Sequence, residues 1–220
     1  MSMPKKITLT CKECGKESEF TIWRSINTML DPEMKKAVRD RSAFRFTCPH
    51  CGKSAQVDYG FLYHQMEDKT MIYYTQTDEE EKEIRGIISG NANMPFFEDL
   101  QKDKYLNRIV RSMNQLLEKL AIFDAGLDDR IVEICKIFIV SEYTRQHPDS
   151  TKLQLLMFTD NEKNHIIQIM EGNKTGGYTK LTDEYYNLIR DKFSPRLNDI
   201  REDREPVIDQ AWALEFLKAK

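Results

Sequence analysis

The segments that decide the fold are Cys11-Lys12-Glu13-Cys14-Gly15 and Cys48-Pro49-His50-Cys51-Gly52. Each segment separates two cysteines by two residues and places a glycine directly after the second cysteine. A chain that turns tightly enough to aim two thiolates at one ion needs a positive φ at this point, and glycine adopts that conformation at no steric cost. Pro49 also restricts φ between the cysteines of the second pair. The two segments therefore predict two metal-binding knuckles.

Partly alternating residues with high β propensity flank both knuckles. They occupy positions 7–10 and 20–23 around the first pair, and 44–47 and 55–59 around the second. Such segments on either side of a turn indicate hairpins. Two hairpins that each present a knuckle form a zinc ribbon, in which four thiolates complete a closed tetrahedral site. The predicted ligands of one structural zinc ion are Cys11, Cys14, Cys48 and Cys51.

The cysteine pairs admit three other interpretations. A thioredoxin-like redox pair belongs to a βαβ unit, and two such pairs would be redundant. Iron is the alternative metal, because the same two motifs resemble the rubredoxin pattern and a thiolate tetrahedron accepts either ion. Four core cysteines without a metal are the third alternative. Since four sulfurs leave no position for water, the predicted metal is structural and does not indicate an enzyme.

A helix is predicted in the insertion between the two cysteine pairs. Asp31 is a favourable N-cap residue, Pro32 suits the first helical position, and Glu33 complements the helix dipole. The helix is expected to run to about residue 40. Its apolar positions Met34, Ala37 and Val38 are expected to pack against the ribbon.

Several segments together resemble the CpXC family of prokaryotic proteins, which is named for its cysteine pairs. They are Thr47-Cys48-Pro49-His50-Cys51-Gly52, Ile26-Asn27, Leu30-Asp31-Pro32-Glu33 and Leu62-Tyr63-His64. The resemblance covers about residues 6–77, although the first cysteine pair lacks the proline of the second. The resemblance implies a zinc-ribbon-like domain in the prokaryotic cytosol. It does not imply any particular activity. His64 is interpreted either as a packed histidine or as a partner of the metal site or of the surface.

The composition favours a cytoplasmic protein without a membrane span. The 220 residues include 33 Lys and Arg against 36 Asp and Glu, which gives a net charge of -3. The pI of about 5.9 lies below the value of roughly 9 that is typical of nucleic-acid-binding domains. No apolar run approaches the roughly 18 residues that cross a bilayer. The N-terminus lacks the apolar stretch of a secretory signal.

The remainder of the chain is predicted to form a second domain. The charged residues 78–83 form a short helix or a solvated linker, and the Gly-, Asn- and Pro-containing residues 86–95 indicate a loop. We therefore place a zinc-ribbon-like domain at 1–77, a linker at 78–98 and an α+β domain at 99–220. An apolar stripe from Leu106 to Leu120 predicts a helix. A second helix, 127–143, is apolar on nearly all faces and buries Cys135.

Strand-like segments at 153–159, 164–171 and 178–181 predict a small antiparallel sheet, with turns at 160–163 and 173–177. Thr182 is expected to cap a helix that ends at Ser194-Pro195, and a last helix follows Asp209. The predicted fold class is α+β. An N-terminal zinc-ribbon β-hairpin domain with a helical insertion precedes a C-terminal α+β domain with a helix pair and a small antiparallel sheet.

The motifs favour an interaction or regulatory module with a protein partner. No phosphate-binding loop, nucleophile elbow or His-Glu metal helix is present, so no catalytic residue is predicted. One alternative is an enzyme with an unrecognised site in the C-terminal domain. The other is nucleic-acid binding by the ribbon, for which the candidate residues are Arg24, Arg39, Arg41 and Arg45. The sequence does not predict the oligomeric state.

Overall fold

The computed structural model describes residues 2–90, 105–200 and 205–219. The chain divides into two units, Met1–Ser112 and Met113–Lys220. The mixture of helices and small sheets confirms the predicted α+β fold class, including the N-terminal hairpins that carry the cysteines. The first unit extends beyond the predicted limit at residue 77. Residues 91–98 of the predicted linker lie outside the described residues.

The first unit contains eight described strands and two α-helices. The strands are β1 (Pro4–Thr10), β2 (Glu17–Trp23), β3 (Ser25–Asn27), β4 (Arg45–Thr47), β5 (Ser54–Gln56), β6 (Phe61–Gln65), β7 (Thr70–Tyr74) and β8 (Leu106–Val110). The helices are α1 (Glu33–Arg39) and α2 (Asp78–Ile88). Short 3₁₀ turns occupy Ser42–Phe44 and Met66–Asp68.

Two antiparallel hairpins carry the knuckles, as the sequence predicts. Strands β1 and β2 pair from Pro4 opposite Trp23 to Thr10 opposite Glu17. Strands β4 and β5 pair over three residues each. The turn of each hairpin is a cysteine knuckle, at residues 11–16 and 48–53.

A four-stranded sheet in the order β3-β6-β7-β8 forms the centre of the first unit. Strands β6 and β7 are antiparallel, whereas β3 and β8 each run parallel to their neighbour. Ile26, Tyr63 and Ile72 lie side by side on one face and are fully buried. Helix α1 lies on that side, because Arg39 Nη1 donates a 2.9 Å hydrogen bond to the Tyr63 hydroxyl.

The structure corrects two local expectations in this unit and decides between the two alternatives for the charged run at residues 78–83. Helix α1 has Pro32 as its N-cap residue and no side-chain cap, so the predicted capping by Asp31 is wrong. The charged run is a helix that begins with a capping box between Thr77 and Glu80. Residues 106–110 form β8 rather than the start of a helix, because β-branched Ile109 and Val110 suit the open edge of β7.

The second unit places helices against a three-stranded sheet. Its elements are α3 (Met113–Asp124), α4 (Asp129–Gln146), β9 (Leu153–Thr159), β10 (His165–Glu171), β11 (Lys174–Lys180), α5 (Asp183–Leu197) and α6 (Gln210–Lys218). The strand order β11-β10-β9 is the predicted antiparallel meander. Cys135 is fully buried in the core, as predicted, and burial raises the pKa of its thiol to about 12.

The predicted ends of two elements in this unit are wrong. Strand β11 begins at Lys174, so Gly176 and Gly177 lie within a strand rather than in a turn. A Cβ at position 176 would approach the Tyr143 hydroxyl to 2.6 Å, which explains the glycine. Helix α5 continues through Pro195, although proline removes one backbone hydrogen bond there. The burial of Leu197 in the core favours the last turn that follows.

Five charged side chains of α3 and α4, which we call the ion cluster, are almost completely buried. Its members are Glu118, Lys119, Asp129, Glu133 and Lys136, each at most 4% exposed. Lys119 Nζ lies 2.8 Å from Asp129, and Lys136 Nζ lies 2.6 Å from Glu118 and 2.9 Å from Glu133. Glu118 also accepts a hydrogen bond from the backbone N–H of Met157 on β9.

Candidate metal centre

The two knuckles have the same backbone geometry. In the first, Cys11 N donates to Lys16 O and Gly15 N donates to Cys11 O, both at 2.9 Å. The second repeats these hydrogen bonds from Cys48 N to Lys53 O and from Gly52 N to Cys48 O, again at 2.9 Å. The glycines have φ of 68° and 73°, and an added Cβ would meet no atom within 4 Å at either. Glycine is therefore required at both positions because of the backbone conformation, and not because a side chain would clash.

The hairpins bring the four predicted cysteine ligands together. The Sγ atoms of Cys11 and Cys51 are 3.6 Å apart, and those of Cys14 and Cys48 are 3.7 Å apart. All four Sγ atoms lie within 4.8 Å of one another. A tetrahedron with metal–sulfur bonds of about 2.3 Å has sulfur–sulfur edges of about 3.8 Å. The donor set therefore fits a tetrahedral thiolate-binding metal ion.

Apolar residues support the cluster on its inner side. Cys11 and Cys48 are buried with Phe46, whose ring meets that of Phe20 edge to face at 5.9 Å. Leu9, Cys14 and Val57 also pack there, whereas Cys51 is exposed. The site is thus anchored in a small core and lies near the protein surface.

The surroundings shift the pKa values of Cys48 and Cys51 in opposite directions. Burial acts to raise the pKa of Cys48, but hydrogen bonds from the backbone N–H groups of His50 and Cys51 outweigh it and lower the pKa to about 6. The backbone N–H of Lys53 lowers the pKa of Cys51. Burial and the neighbouring thiols outweigh this effect and raise the pKa to about 12. A bound cation would favour the thiolate form of both side chains.

The four arginines proposed for nucleic-acid contact differ in their surroundings. Arg24 and Arg45 are exposed. Arg39 is half-buried, and its Nη1 donates to both the Lys35 carbonyl and the Tyr63 hydroxyl. Arg41 is half-buried at the junction between α1 and the following 3₁₀ turn, with φ of 62°. The set therefore contains two exposed cations.

His64 lies in β6 and is 5% exposed. Its Nε2 atom has no hydrogen-bond partner within the described parts of the chain. The ring packs edge to face against Tyr105 with centroids 5.3 Å apart, and burial lowers the pKa of His64 to about 4. The interpretation as a packed histidine agrees with its burial, although its hydrogen bonding is incomplete.

The ion cluster was not predicted from the sequence. Asp129 pairs with Lys119, while Asp128 is the N-cap residue of α4. The available signal was the helical spacing of Asp129, Glu133 and Lys136 beside the adjacent charges of α3.

The second unit also has a cavity of about 830 Å³ beside Tyr143, His147 and Lys180.

Two hairpins with equivalent knuckles and converging sulfurs define a ribbon-type protein with a four-cysteine site. The family model described as CpXC protein matches residues 9–136, which is more than half of the chain. The chain therefore belongs to the CpXC family. The match extends beyond the predicted residues 6–77 and includes the whole ion cluster. No curated protein and no solved structure matches the sequence. Separately, no helix in the described ranges has the length and apolar character to cross a bilayer.

Proposed function

We propose that Cys11, Cys14, Cys48 and Cys51 hold one structural zinc ion, and that the protein is a cytoplasmic protein-interaction module. The observation that supports this proposal is the set of four sulfurs at tetrahedral spacing. Because sulfur would occupy all four positions, the ion would have no site for water or substrate. Its role would be to fix the ribbon.

The small size of the hairpins supports a structural role for the metal. Strands β4 and β5 have three residues each, and an isolated two-stranded hairpin is at best marginally stable in water. The core next to the cluster contains three buried residues, of which two are cysteines. A structural zinc ion contributes on the order of 10–16 kcal/mol, which would compensate for this small core.

An ordered apolar turn supports a protein partner. Met29 and Leu30 lie between β3 and α1 and are 58% and 59% exposed. The buried side-chain oxygen of Asn27 accepts a 3.0 Å hydrogen bond from Met29 N. The backbone carbonyl of Asn27 accepts a hydrogen bond from Leu30 N. The turn therefore holds two large apolar side chains in solvent, an arrangement typical of contact surfaces.

Metal analysis tests the first half of the proposal. The purified protein should be colourless and contain one zinc per chain by mass spectrometry of the metal. Cys48→Ser should lose the zinc, whereas Cys135→Ala should retain it because Cys135 lies in the core of the second unit. A coloured protein with the absorption of ferric thiolate, or one without metal, would contradict this half.

Comparative affinity capture tests the second half. A double variant with Met29→Ser and Leu30→Ser would be compared with the wild type and with a control variant, Leu188→Ser, on the second unit (64% exposed). A captured partner would then be purified and its affinity for each of the three proteins measured. The proposal is supported if this partner binds the wild type and the control equally well and binds the double variant at least roughly tenfold more weakly. Identical affinities for all three proteins would contradict it.

Nucleic-acid binding is the alternative proposal, which the exposure of Arg24 and Arg45 supports. In an anisotropy titration with mixed-sequence DNA and RNA, such binding should weaken steeply with salt. Replacement of both arginines by glutamine should abolish it, whereas Arg145→Gln on the second unit should not. Absence of binding at low salt would exclude this alternative.

A further inference from the structure

The first unit has a cavity of about 530 Å³ on the side of its sheet opposite Tyr63 and Ile72. Leu62 pairs with Tyr73 and His64 with Met71 across β6 and β7, so these four residues share one face. Residues of this face line the cavity, together with Glu80, Glu83 and Ile84 of α2. The volume is in the range of small-molecule sites.

Two buried polar atoms among the lining residues have no hydrogen-bond partner within the described segments. They are Nε2 of His64, which is 5% exposed, and Oγ1 of Thr75, which is 3% exposed. A buried polar group without a partner costs about 1–3 kcal/mol. A ligand that hydrogen-bonds to both atoms would recover this free energy.

The rest of the lining favours an uncharged, largely apolar ligand. Met71 and Tyr73 are at most 4% exposed, and the Tyr73 hydroxyl contacts the Met71 sulfur at 3.4 Å. The charged lining residues Arg24, Glu80 and Glu83 are exposed, so they lie at the rim. Two acidic groups against one arginine disfavour an anion, and the buried walls offer no counter-charge for one.

We propose that this cavity binds a neutral small molecule with an apolar body and a hydroxyl-type group at each end, one hydrogen-bonded to His64 and the other to Thr75. The two residues lie about 13 Å apart along the strands, because Thr75 is four positions from Met71, the partner of His64. A hydroxyl both donates and accepts, so it matches either tautomer of the histidine and the threonine hydroxyl. The site lies on the central sheet of the unit and uses none of the cysteine ligands. It is therefore independent of the proposed metal and of the Met29–Leu30 turn.

Three compounds of similar size test the proposal on the metal-loaded full chain: 2,6-dihydroxynaphthalene, naphthalene and 2,6-naphthalenedicarboxylate. Methyl NMR spectra of labelled methionines locate the binding site, because Met71 lines the cavity and Met29 is exposed elsewhere. We expect 2,6-dihydroxynaphthalene to shift the Met71 signal and to leave the Met29 signal unchanged. It should bind roughly tenfold or more tightly than naphthalene, because each hydrogen bond that it forms adds affinity, and more tightly than the dicarboxylate.

Two variants remove one polar atom each at nearly constant shape. His64→Phe and Thr75→Val should each reduce the preference for 2,6-dihydroxynaphthalene over naphthalene to a few-fold, whereas Thr159→Val on a strand of the second unit should not change it. If His64→Phe fails to fold, Thr75→Val decides the outcome alone. The proposal is overturned if Met71 does not respond up to the solubility limit, if naphthalene binds equally well, or if Thr75→Val keeps the preference.

Discussion

The cysteine site of the first unit and the ion cluster of the second both gather ionisable groups in a small volume, but they differ in the origin of their counter-charge. Four thiolates would carry charges of the same sign, lie partly at the surface, and would need a cation from solution. The ion cluster combines three carboxyl groups with two lysines and is almost closed to water. With the proposed metal, one site would depend on metal supply, whereas the other depends on packing.

The ionisation of the ion cluster shows how closely its charges depend on one another. Burial raises the pKa of Glu133, and the lysines only partly offset it. Burial lowers the pKa of Lys136, but Glu118 and Glu133 outweigh it and raise the pKa above its ordinary value. Removing one member therefore leaves a buried charge without compensation, which costs more than a surface pair is worth.

The largest effect should come from metal removal. Chelation, or Cys48→Ser, should unfold the ribbon, because a structural zinc ion supplies on the order of 10 kcal/mol. Hydrogen exchange measured by mass spectrometry should show lost protection in β1, β2, β4 and β5. Protection in β9 and β10 should persist in the second unit. Retained protection of the hairpins after complete chelation would contradict a structural role.

The ion cluster should respond to a single charge deletion and not to chelation. Lys136→Met should destabilise the second unit by about 3–5 kcal/mol, because Glu118 and Glu133 lose their closest cation. Urea unfolding followed by circular dichroism measures the change. The control is Lys6→Met, which breaks an exposed ion pair with Glu19 and should change the stability far less, because water screens that pair. Equal effects of the two substitutions would contradict the difference between buried and exposed pairs.

The glycines of the knuckles offer a smaller and symmetric test. Gly15→Ala and Gly52→Ala should each cost about 1–2 kcal/mol, because both positions have positive φ. The zinc affinity, measured by competition with a chromophoric chelator, should fall roughly tenfold. Gly86→Ala within helix α2 has the opposite expected sign, since an alanine stabilises a helix. Unequal losses at positions 15 and 52 would show that the knuckles are not equivalent.

The smallest effect concerns His64, an isolated buried titratable group near Glu67 and Tyr105. Its pKa of about 4 in the folded protein lies below the ordinary value of 6.5, so the unfolded chain binds more protons between these values. Stability therefore falls as the pH falls. From pH 7.5 to 5.5 the loss due to His64 should be about 1 kcal/mol. His64→Gln should remove this part of the pH dependence in urea unfolding, and an unchanged pH dependence would contradict the assignment.

Elements whose signals are contiguous in the sequence were predicted well. The knuckles, their hairpins and the strands around 153–171 depend on turns and alternation within a few residues. The predicted N-cap residue Thr182 was also confirmed, since it accepts from the backbone N–H three positions later. The last helix follows Asp209 as predicted, and Asp209 caps it in the same way. The domain limits, the zinc ion and the partner stay predictions.

The sequence by itself determined the two cysteine knuckles, because their spacing and glycines fix the backbone over five residues. Only the tertiary structure decided that residues 106–110 form a strand, that Pro195 lies within a helix, and that five charges share one buried cluster. These features depend on contacts between distant segments, such as the edge of β7 for β8 and the pairing of Lys119 with Asp129. Local propensity does not encode such contacts, because their free energy comes from neighbours that folding brings together.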